Sequence, residues 1–223
     1  MTQSKDGISS LNLARSIGVS ANTALSIKHK IQQTMKERDD SQRLAKLILI
    51  DDAYWGGKKQ DGIRGRGATG KTPFVASVSL TSKGRPDRMR LSRVTGFLKD
   101  EIAGWAKKHL SRFSVVISDG LNCFPGVQEA GCGHEAVITH TDKGYDENKI
   151  FKWVNIMIGN VKNALHGTYH HVSEEHLPRY LAEFCYRFNR RYDLHEMVDR
   201  LAYVALRTPP MPKRLLKLAE VRW

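Results

Sequence analysis

The chain has 223 residues, of which 40% are hydrophobic, enough for one main domain with a buried core and a small appendage. Its 36 Lys and Arg residues outnumber 23 Asp and Glu residues, and the net charge of +13 favours a polyanionic partner, nucleic acid before a membrane surface. No apolar run approaches the ~18 residues of a membrane span, no signal peptide is recognisable, and three cysteines are too few for a disulfide framework, so we expect a soluble cytoplasmic protein.

Two helices around a tight turn are predicted in residues 8–35. The turn falls at Gly18, and Ser20 is placed to cap the second helix by accepting hydrogen bonds from its first free N–H groups. This is the outline of a helix-turn-helix, although plain packing of two helices gives the same pattern. If the second helix contacts DNA, the contact residues are expected among Asn22, Thr23, Ser26, Lys28, His29 and Lys30. A charged connector at residues 36–43 marks the predicted domain boundary.

Two buried strands that end in acids organise the rest of the chain. Leu47–Ile50 is an apolar run without polar alternation, which predicts a strand buried on both faces, and it leads into Asp51 and Asp52. Ser114–Ser118 repeats this design and ends at Asp119. If the two strands are neighbours, their acids meet at one edge of a sheet, where a divalent cation would relieve their repulsion. The alternative is that these acids are ordinary strand-end and turn residues.

A glycine-rich basic segment follows the first strand. Residues 56–72 hold six glycines and five basic residues, which are expected to contact DNA phosphates: Lys58, Lys59, Arg64, Arg66 and Lys71. Within this segment, residues 65–72 match the phosphate-loop pattern of nucleotide hydrolases. That motif needs a helix directly after it, whereas Pro73–Leu80 has the pattern of a strand, so a hairpin loop between the first two strands is the favoured interpretation.

The remaining elements predict an α/β domain. A third strand is expected at Arg88–Val94, a helix at Phe97–Leu110, the second acid-tipped strand at Ser114–Ser118 and a fifth strand at Glu135–Thr139. Three strands, a helix, two strands and a helix are the order of a mixed sheet with flanking helices, as in ribonuclease-H-like domains.

Three helices are predicted after the sheet. The first spans about residues 149–165 and carries Asn155 and Lys162 on one face, because an offset of seven residues returns to nearly the same azimuth. The second begins after Ser173, which is expected to be its N-cap, and the third covers residues 194–206 ahead of a basic tail.

Three motifs, in this order and spacing, carry a resemblance to a known family. They are Ile50-Asp51-Asp52-Ala53-Tyr54-Trp55-Gly56-Gly57-Lys58, Ser118-Asp119-Gly120, and Gly167-Thr168-Tyr169-His170-His171-Val172 leading to Arg187-Phe188-Asn189-Arg190-Arg191. Over residues 8–192 the chain resembles bacterial insertion-sequence transposases of the ISXO-like group, which join an N-terminal zinc ribbon and helix-turn-helix to a DDE-type, ribonuclease-H-like catalytic domain. The resemblance implies a helix-turn-helix segment at 1–40, a catalytic domain at 41–192, and a C-terminal helix with a basic tail at 193–223.

The resemblance also assigns roles to individual residues. Asp51 matches the first catalytic carboxylate and Asp119 the second, whereas Asp52 stands where Glu is common and is not expected to bind metal. The third position falls on Asn155, where the usual member has Glu. Some branches share this Asn and have a Lys seven residues later, which matches Lys162 and would neutralise charge at the scissile phosphate. An amide ligates Mg²⁺ without adding charge, so Asp51 and Asp119 alone would supply the negative charge of the site.

Two departures from the family pattern leave alternatives open. If the register is different, Glu147 or Asp146 is the third acid. The zinc ribbon is missing, since no Cys pair precedes residue 123, so it has been lost or the chain starts inside a longer gene. Cys123, Cys132 and His134 lack the paired ligand spacing of a zinc site and are expected to be structural.

The expected function is DNA transposition. The resemblance implies strand cleavage and strand transfer with two Mg²⁺ ions, for which Mn²⁺ is a substitute, on double-stranded DNA at the terminal inverted repeats and at the target site. It implies a homo-oligomer on DNA in the nucleoid, without a membrane partner, and DNA backbone contacts from Arg190 and Arg191. The alternatives are a catalytically inactive DNA-binding regulator derived from a transposase and, through residues 65–72, a nucleotide hydrolase.

Overall fold

The computed structural model describes residues 1–2, 4, 6–56, 70–137, 150–170 and 172–218. Its internal contacts divide the chain into two units. Residues 43–160 form the first, the sheet unit, and residues 1–42 together with 161–223 form the second, the helical unit.

The sheet unit has five strands in its described residues: β1 (Leu47–Trp55), β2 (Thr72–Leu80), β3 (Pro86–Arg93), β4 (Val115–Ser118) and β5 (Gly133–Ala136). Their order across the sheet is β3-β2-β1-β4-β5. The first three pair antiparallel, whereas β4 is parallel to β1 and β5 is parallel to β4. This mixed sheet confirms the predicted α/β, ribonuclease-H-like fold class.

The central strand is β1, whose first residues are apolar toward both faces of the sheet. Ile48 and Ile50 are fully buried in the core cluster that α3 (Lys99–His109) completes. Leu49, which alternates to the opposite face, is also buried. A strand that is covered on both faces has an unbroken run of apolar residues. β1 was predicted from such a run.

A 3₁₀ helix at Phe124–Ala130 is an element that the sequence pattern does not indicate. Phe124 and Val127 are fully buried in the same core cluster as the residues of α3. Gly126 permits the close approach, because a Cβ at this position would lie 2.5 Å from the Lys99 carbonyl oxygen. The segment is too short for a helical period to be visible in the sequence.

The fifth strand lies earlier in the chain than predicted. It covers Gly133–Ala136 rather than Glu135–Thr139, and residues 138 and 139 lie outside the described part of the chain. Its register is set by the four-residue β4, since Val115 pairs with Gly133 and Ser118 with Ala136. β5 is mostly exposed and is held by its pairing with β4.

The helical unit is centred on two packed helices. The helices outside the sheet unit's core are α1 (Ser10–Ile17), α2 (Ala21–Asp40), α5 (Leu177–Asn189), α6 (Met197–Arg207) and α7 (Lys213–Leu218). α2 packs along α5, and α1, α6 and α7 contact α2. α4 (Lys152–Ala164) begins in the sheet unit, ends in the helical unit and continues as a π-helix at Leu165–Tyr169.

Both N-terminal helices begin at a serine cap. The Ser9 hydroxyl accepts from the Asn12 N–H and the Ser20 hydroxyl from the Thr23 N–H, each at 3.2 Å. α1 ends at Gly18, whose φ of 69° is the left-handed conformation that favours glycine. The predicted Ser20 cap and the Gly18 turn are therefore confirmed.

Two predictions for the C-terminal helices are corrected. α5 begins at Leu177 instead of directly after Ser173, whose carbonyl oxygen accepts from the N–H groups of His176 and Leu177 in the preceding turn. The segment at 194–206 is a 3₁₀ turn followed by α6. No pattern in the sequence indicated α7, in which Leu216 is buried. Within the described residues, no helix is both long and apolar enough to cross a membrane.

Candidate functional site

Three aspartates meet where β4 ends beside the middle of β1. β4 runs parallel to β1 with Leu49 opposite Ile117, and two residues further along the chain in each case stand Asp51 and Asp119. Residues at matching positions of neighbouring strands point to the same face. The strand register therefore brings together two acids that are 68 positions apart in the chain.

The carboxylates are close enough to share a cation. One carboxylate oxygen from each of Asp51, Asp52 and Asp119 lies within 4.8 Å of the others, and all three residues are half-buried. Asp51 Oδ1 accepts from the Asp52 N–H at 2.8 Å, and Asp119 Oδ1 accepts from the Leu121 N–H at 3.2 Å. These backbone contacts orient the two carboxylates, and Gly120, at a φ of 84°, turns the chain between Asp119 and Leu121.

The chemistry of this donor set fits a divalent metal. Three carboxylates at this separation repel one another, and a cation among them removes the repulsion. Oxygens on opposite sides of one Mg²⁺ are about 4.2 Å apart, because each Mg–O bond is about 2.1 Å. The cluster can therefore close on such an ion with small side-chain movements.

Asp52 belongs to this cluster, although the resemblance gave it no part in metal binding because Glu is common at its position. Consecutive residues of a strand usually point to opposite faces, so strand alternation alone does not place Asp52 beside Asp51. β4 ends at Ser118, one residue before Asp119. One oxygen of the Asp52 carboxylate lies within 4.8 Å of an oxygen of each of the other two.

The remaining predicted catalytic residues lie on α4. Asn155 is an exposed residue of the helix within the sheet unit, and Lys162 is a half-buried residue in the part assigned to the helical unit. Their convergence with the aspartates stays a prediction. The alternative third acids, Asp146 and Glu147, lie outside the described residues.

The glycine-rich segment joins β1 to β2. Trp55 pairs with Thr72, so the chain enters a strand immediately after Lys71, which is half-buried. A phosphate loop needs a helix at this point, so the nucleotide-hydrolase interpretation of residues 65–72 is wrong. Four residues of the glycine-rich segment that were predicted to contact DNA lie outside the described residues: Lys58, Lys59, Arg64 and Arg66.

The other predicted DNA contacts are placed unequally. Asn22 and Thr23 are exposed in the first turn of α2. Lys28 has no exposed surface, and its ammonium lies 3.6 Å from the centroid of the Tyr169 ring, which corrects the prediction that it contacts DNA. Arg190 is similarly corrected, because it forms an ion pair with the buried Asp39 at 2.7 Å. Arg191 is half-buried and stacks on aromatic rings.

A buried polar network, which sequence reasoning missed, surrounds Glu183 in the helical unit. Its carboxylate is fully buried and accepts from Gln32 at 2.7 Å, from Tyr169 at 3.1 Å and from Arg187 at 2.8 Å. Burial lowers the pKa of the neighbouring Lys28 to about 8, against the opposing effect of Glu183. The signal in the sequence was the polar Lys28 and Gln32 on the side of α2 that packs on α5.

His29 gives this unit a predicted pH dependence. Burial, with smaller contributions from His176 and Arg179, lowers the pKa of His29 to about 3. The unfolded chain binds a proton near pH 6.5, whereas the folded chain does not, so acidification favours unfolding. Between pH 6.5 and 4 we expect the free energy of unfolding to fall by about 3 kcal/mol from this residue.

The measurement is urea unfolding across that pH range. In the His29→Gln variant, the free energy of unfolding should lose this part of its dependence on pH. His195→Gln is the control: this histidine side chain is 79% exposed, and its variant should keep the wild-type dependence. Parallel pH profiles for the wild type and His29→Gln would contradict the assignment.

The cysteines have structural surroundings, as expected. Cys123 and Cys132 are buried and form no disulfide, and burial raises the pKa of the Cys132 thiol. His134 is hydrogen bonded through Nε2 to the Ser118 hydroxyl at 2.9 Å. In the part of the chain that the structure describes, the aspartate cluster is the one group of His, Cys, Asp or Glu side chains arranged for a metal.

Comparisons with known proteins point to one family. Residues 43–189 match the family model described as the ISXO2-like transposase domain. No curated protein matches the chain. Two similar solved structures are titled "Crystal structure of a pre-cleavage Mos1 transpososome" (9% identity, TM-score 0.34) and "Crystal structure of the Mos1 Strand Transfer Complex" (11% identity, TM-score 0.29). Each match covers 93% of this chain and 76% of the other, and scores this low establish no shared function.

Proposed function

This chain belongs to the ISXO2-like transposase family, and on that premise we propose that it cuts DNA at the ends of a mobile element and joins them to target DNA. The observation that carries the proposal is the convergence of the Asp51, Asp52 and Asp119 carboxylates within 4.8 Å, inside the region that the family model matches. Metal-assisted phosphodiester chemistry needs oxygen ligands that hold a divalent ion, and a carboxylate cluster supplies them.

In this proposal, Asp51, Asp52 and Asp119 hold the divalent metal. A divalent ion held there would supply Lewis-acid chemistry: it would favour the deprotonated form of the attacking oxygen, first of water and then of a DNA 3′-hydroxyl, and would stabilise the leaving oxygen as its bond to phosphorus breaks. The carboxylates would fix the position of the ion, because Asp51 and Asp52 belong to β1 and the Asp51 and Asp119 carboxylates accept backbone hydrogen bonds. Their half-buried setting strengthens these charge interactions relative to those in open water.

We also propose that Asp52 makes up for the missing third acid. A neutral Asn155 adds an oxygen ligand but no charge, so two aspartates alone would leave the site with less negative charge than a three-acid centre has. The Asp52 carboxylate would restore it, because one of its oxygens lies within 4.8 Å of an oxygen of each of the other two. Asn155 then completes the metal ligands, and Lys162 neutralises charge that develops at the scissile phosphate.

The proposed substrate is double-stranded DNA. The net charge of +13 supports a polyanion, and the proposed backbone contacts are Lys58, Lys59, Arg64, Arg66, Lys71 and Arg191. The exposed Asn22 and Thr23 at the start of α2 are the proposed contacts of the helix-turn-helix. We propose that copies of the chain assemble on DNA, because two element ends have to be joined to one target.

The test is a nicking assay on a supercoiled plasmid that carries this chain's gene with its flanking DNA. We expect nicked and linear products with Mg²⁺ or Mn²⁺, and none with EDTA, because the aspartates need a cation that binds oxygen ligands. Products on agarose gels are compared between these conditions. Equal nicking in EDTA would contradict the metal-dependent mechanism.

Asn155 favours a second candidate function, that of a DNA-binding regulator without catalysis. A regulator would bind the same plasmid ends equally well with and without Mg²⁺ and would never nick them. If the chain binds the plasmid ends equally with and without metal and forms no nicked product at any Mg²⁺ or Mn²⁺ concentration, the chain is a regulator and not an active transposase.

A further inference from the structure

A cavity of about 390 Å³ lies within the helical unit. Its walls come from the N-terminal helices, from the end of the π-helix and from the turn before α5. The lining side chains that matter here are His29, Thr168, Tyr169, Ser173, His176 and Tyr180. A cavity of this size is at the small end of those that bind organic ligands.

Flat rings and hydroxyl groups dominate the walls. The His29 and His176 rings lie 4.5 Å apart between centroids, and the Tyr169 and Tyr180 rings lie edge to face at 4.8 Å. Thr168 and Ser173 add hydroxyl groups. Such walls suit a planar heteroaromatic ligand, which stacks on rings and exchanges hydrogen bonds at its edge.

These rings are fixed by bonds to the surrounding helices. Tyr169 donates its hydroxyl hydrogen to Glu183, and His29 Nε2 is hydrogen bonded to the Tyr180 hydroxyl at 3.2 Å. Arg179 donates to His176 Nδ1 at 3.0 Å. A ligand would therefore meet walls that are already ordered, which reduces the entropy lost on binding.

The part of the ligand that enters the cavity is expected to be uncharged. Burial lowers the pKa of both His29 and His176, so both imidazoles are neutral at pH 7. Two protonated imidazoles would attract an anion, whereas two neutral imidazoles do not. The cavity is therefore better suited to the base of a nucleotide than to its phosphate.

The backbone beside the cavity has two features that concentrate at functional sites. The π-helix at Leu165–Tyr169 is a rare geometry that is frequently found at such sites. It ends at His170, which lines the cavity and has φ 56° and ψ −54°, a strained conformation for a residue with a Cβ. Strain of this kind persists only where the surrounding structure enforces it.

We propose that this cavity takes one DNA base that has left the helical stack. The inference rests on the proposed function, since it assumes that the substrate is DNA. The volume is that of a small ligand rather than a base pair, and the ring walls replace the stacking that the base gives up in the duplex. The two imidazoles and the hydroxyl groups then contact the edge of the base.

The test uses two 20-base-pair duplexes that differ at one position. One carries a single unpaired adenine bulge, and the other has an abasic residue in its place. Binding is measured by fluorescence anisotropy of a terminal dye. We expect the wild-type chain to bind the adenine bulge roughly tenfold more tightly, the preference that stacking of one base on aromatic side chains provides.

Three variants separate the cavity from general DNA binding. His176→Ala removes a stacking ring and Ser173→Phe fills the cavity, so each should abolish the preference while leaving affinity for the abasic duplex within about twofold, since backbone contacts dominate that affinity. His166→Ala, an exposed histidine of the same π-helix that does not line the cavity, should keep it.

Two outcomes overturn the inference, and they are distinguishable. Equal affinity of the wild-type chain for both duplexes, or a preference that survives in both folded cavity variants, would show that the cavity takes no base. No binding to either duplex would instead overturn the DNA-binding function and this inference with it. Circular dichroism of each variant confirms that it is folded, and either cavity variant alone is sufficient for the test.

Discussion

Asp119→Asn is expected to lower the rate of DNA cleavage by at least about a thousandfold, which corresponds to about 4 kcal/mol in the activation free energy. The change keeps the size of the side chain and removes one negative charge from the aspartate cluster. The variant is therefore expected to bind the metal ion more weakly. The negative charge on the leaving oxygen of the phosphodiester then lacks the cation that stabilises it. The substituted amide retains an oxygen that can accept from the Leu121 N–H, so the turn after β4 is expected to remain.

The measurement is single-turnover cleavage of the plasmid with saturating Mg²⁺. Asp100→Asn is the matched control, because Asp100 is exposed in the first turn of α3 and is outside the cluster. DNA binding should be unchanged in both variants. Cleavage by Asp119→Asn within tenfold of the wild-type rate would rule out its role as a metal ligand.

The same experiment tests Asp52. If its carboxylate supplies the third charge, Asp52→Asn should also reduce cleavage strongly, whereas the family pattern alone predicts little effect. Metal binding gives an independent readout, since a bound cation raises the melting temperature by mass action. The wild-type chain should gain stability with Mg²⁺, and both cluster variants should lose most of that gain.

Glu183→Leu is expected to lower the free energy of unfolding by about 3–5 kcal/mol, the usual cost of removing one partner from a buried ion pair. Glu183 is fully buried, and its loss leaves Arg187 without its carboxylate partner and the Gln32 amide and Tyr169 hydroxyl without their acceptor. Lys28 also loses the nearby negative charge that raises its pKa. Leucine has similar volume, so the effect comes from unpaired polar groups rather than from a cavity.

Urea unfolding with the fluorescence of the chain's tryptophans measures this effect. Glu175→Leu is the matched control, since Glu175 is exposed in the turn before α5 and should change stability by less than about 0.5 kcal/mol. A loss below about 1 kcal/mol in Glu183→Leu would mean that the buried network contributes little to stability. Cleavage by the folded fraction should persist, because Glu183 is not in the aspartate cluster.

Features that depend on neighbouring residues were predictable from the sequence. The unbroken apolar run before Asp51 predicts a central strand, and β1 is that strand. Ser20 and Gly18 predict the start and end of adjacent helices, because a hydroxyl satisfies free N–H groups and glycine adopts the left-handed conformation. The strand pattern after Lys71 excluded a nucleotide-binding loop correctly, and β2 follows there.

Features that depend on packing between distant segments were mispredicted. Lys28 has the composition of a DNA-contacting residue, yet α2 turns it toward α5, where aromatic rings cover it. Arg190 closes an ion pair with Asp39, although these residues are 151 positions apart. No local pattern in the sequence indicates either contact, because each depends on which faces of α2 and α5 meet.

The sequence by itself determined the apolar run of β1, the Ser20 cap and the position of Asp119 directly after β4, because propensity, periodicity and hydrogen bonding over a few residues set these features. It did not indicate that β1 continues past Asp51 to Trp55. Only the tertiary structure decided that Asp52 joins Asp51 and Asp119, since these residues come from two segments that meet only through the pairing of β1 with β4. It also decided that residues around His29 and His176 enclose a cavity. Both outcomes follow from the register and packing of distant segments, whose free energy is a property of the whole fold.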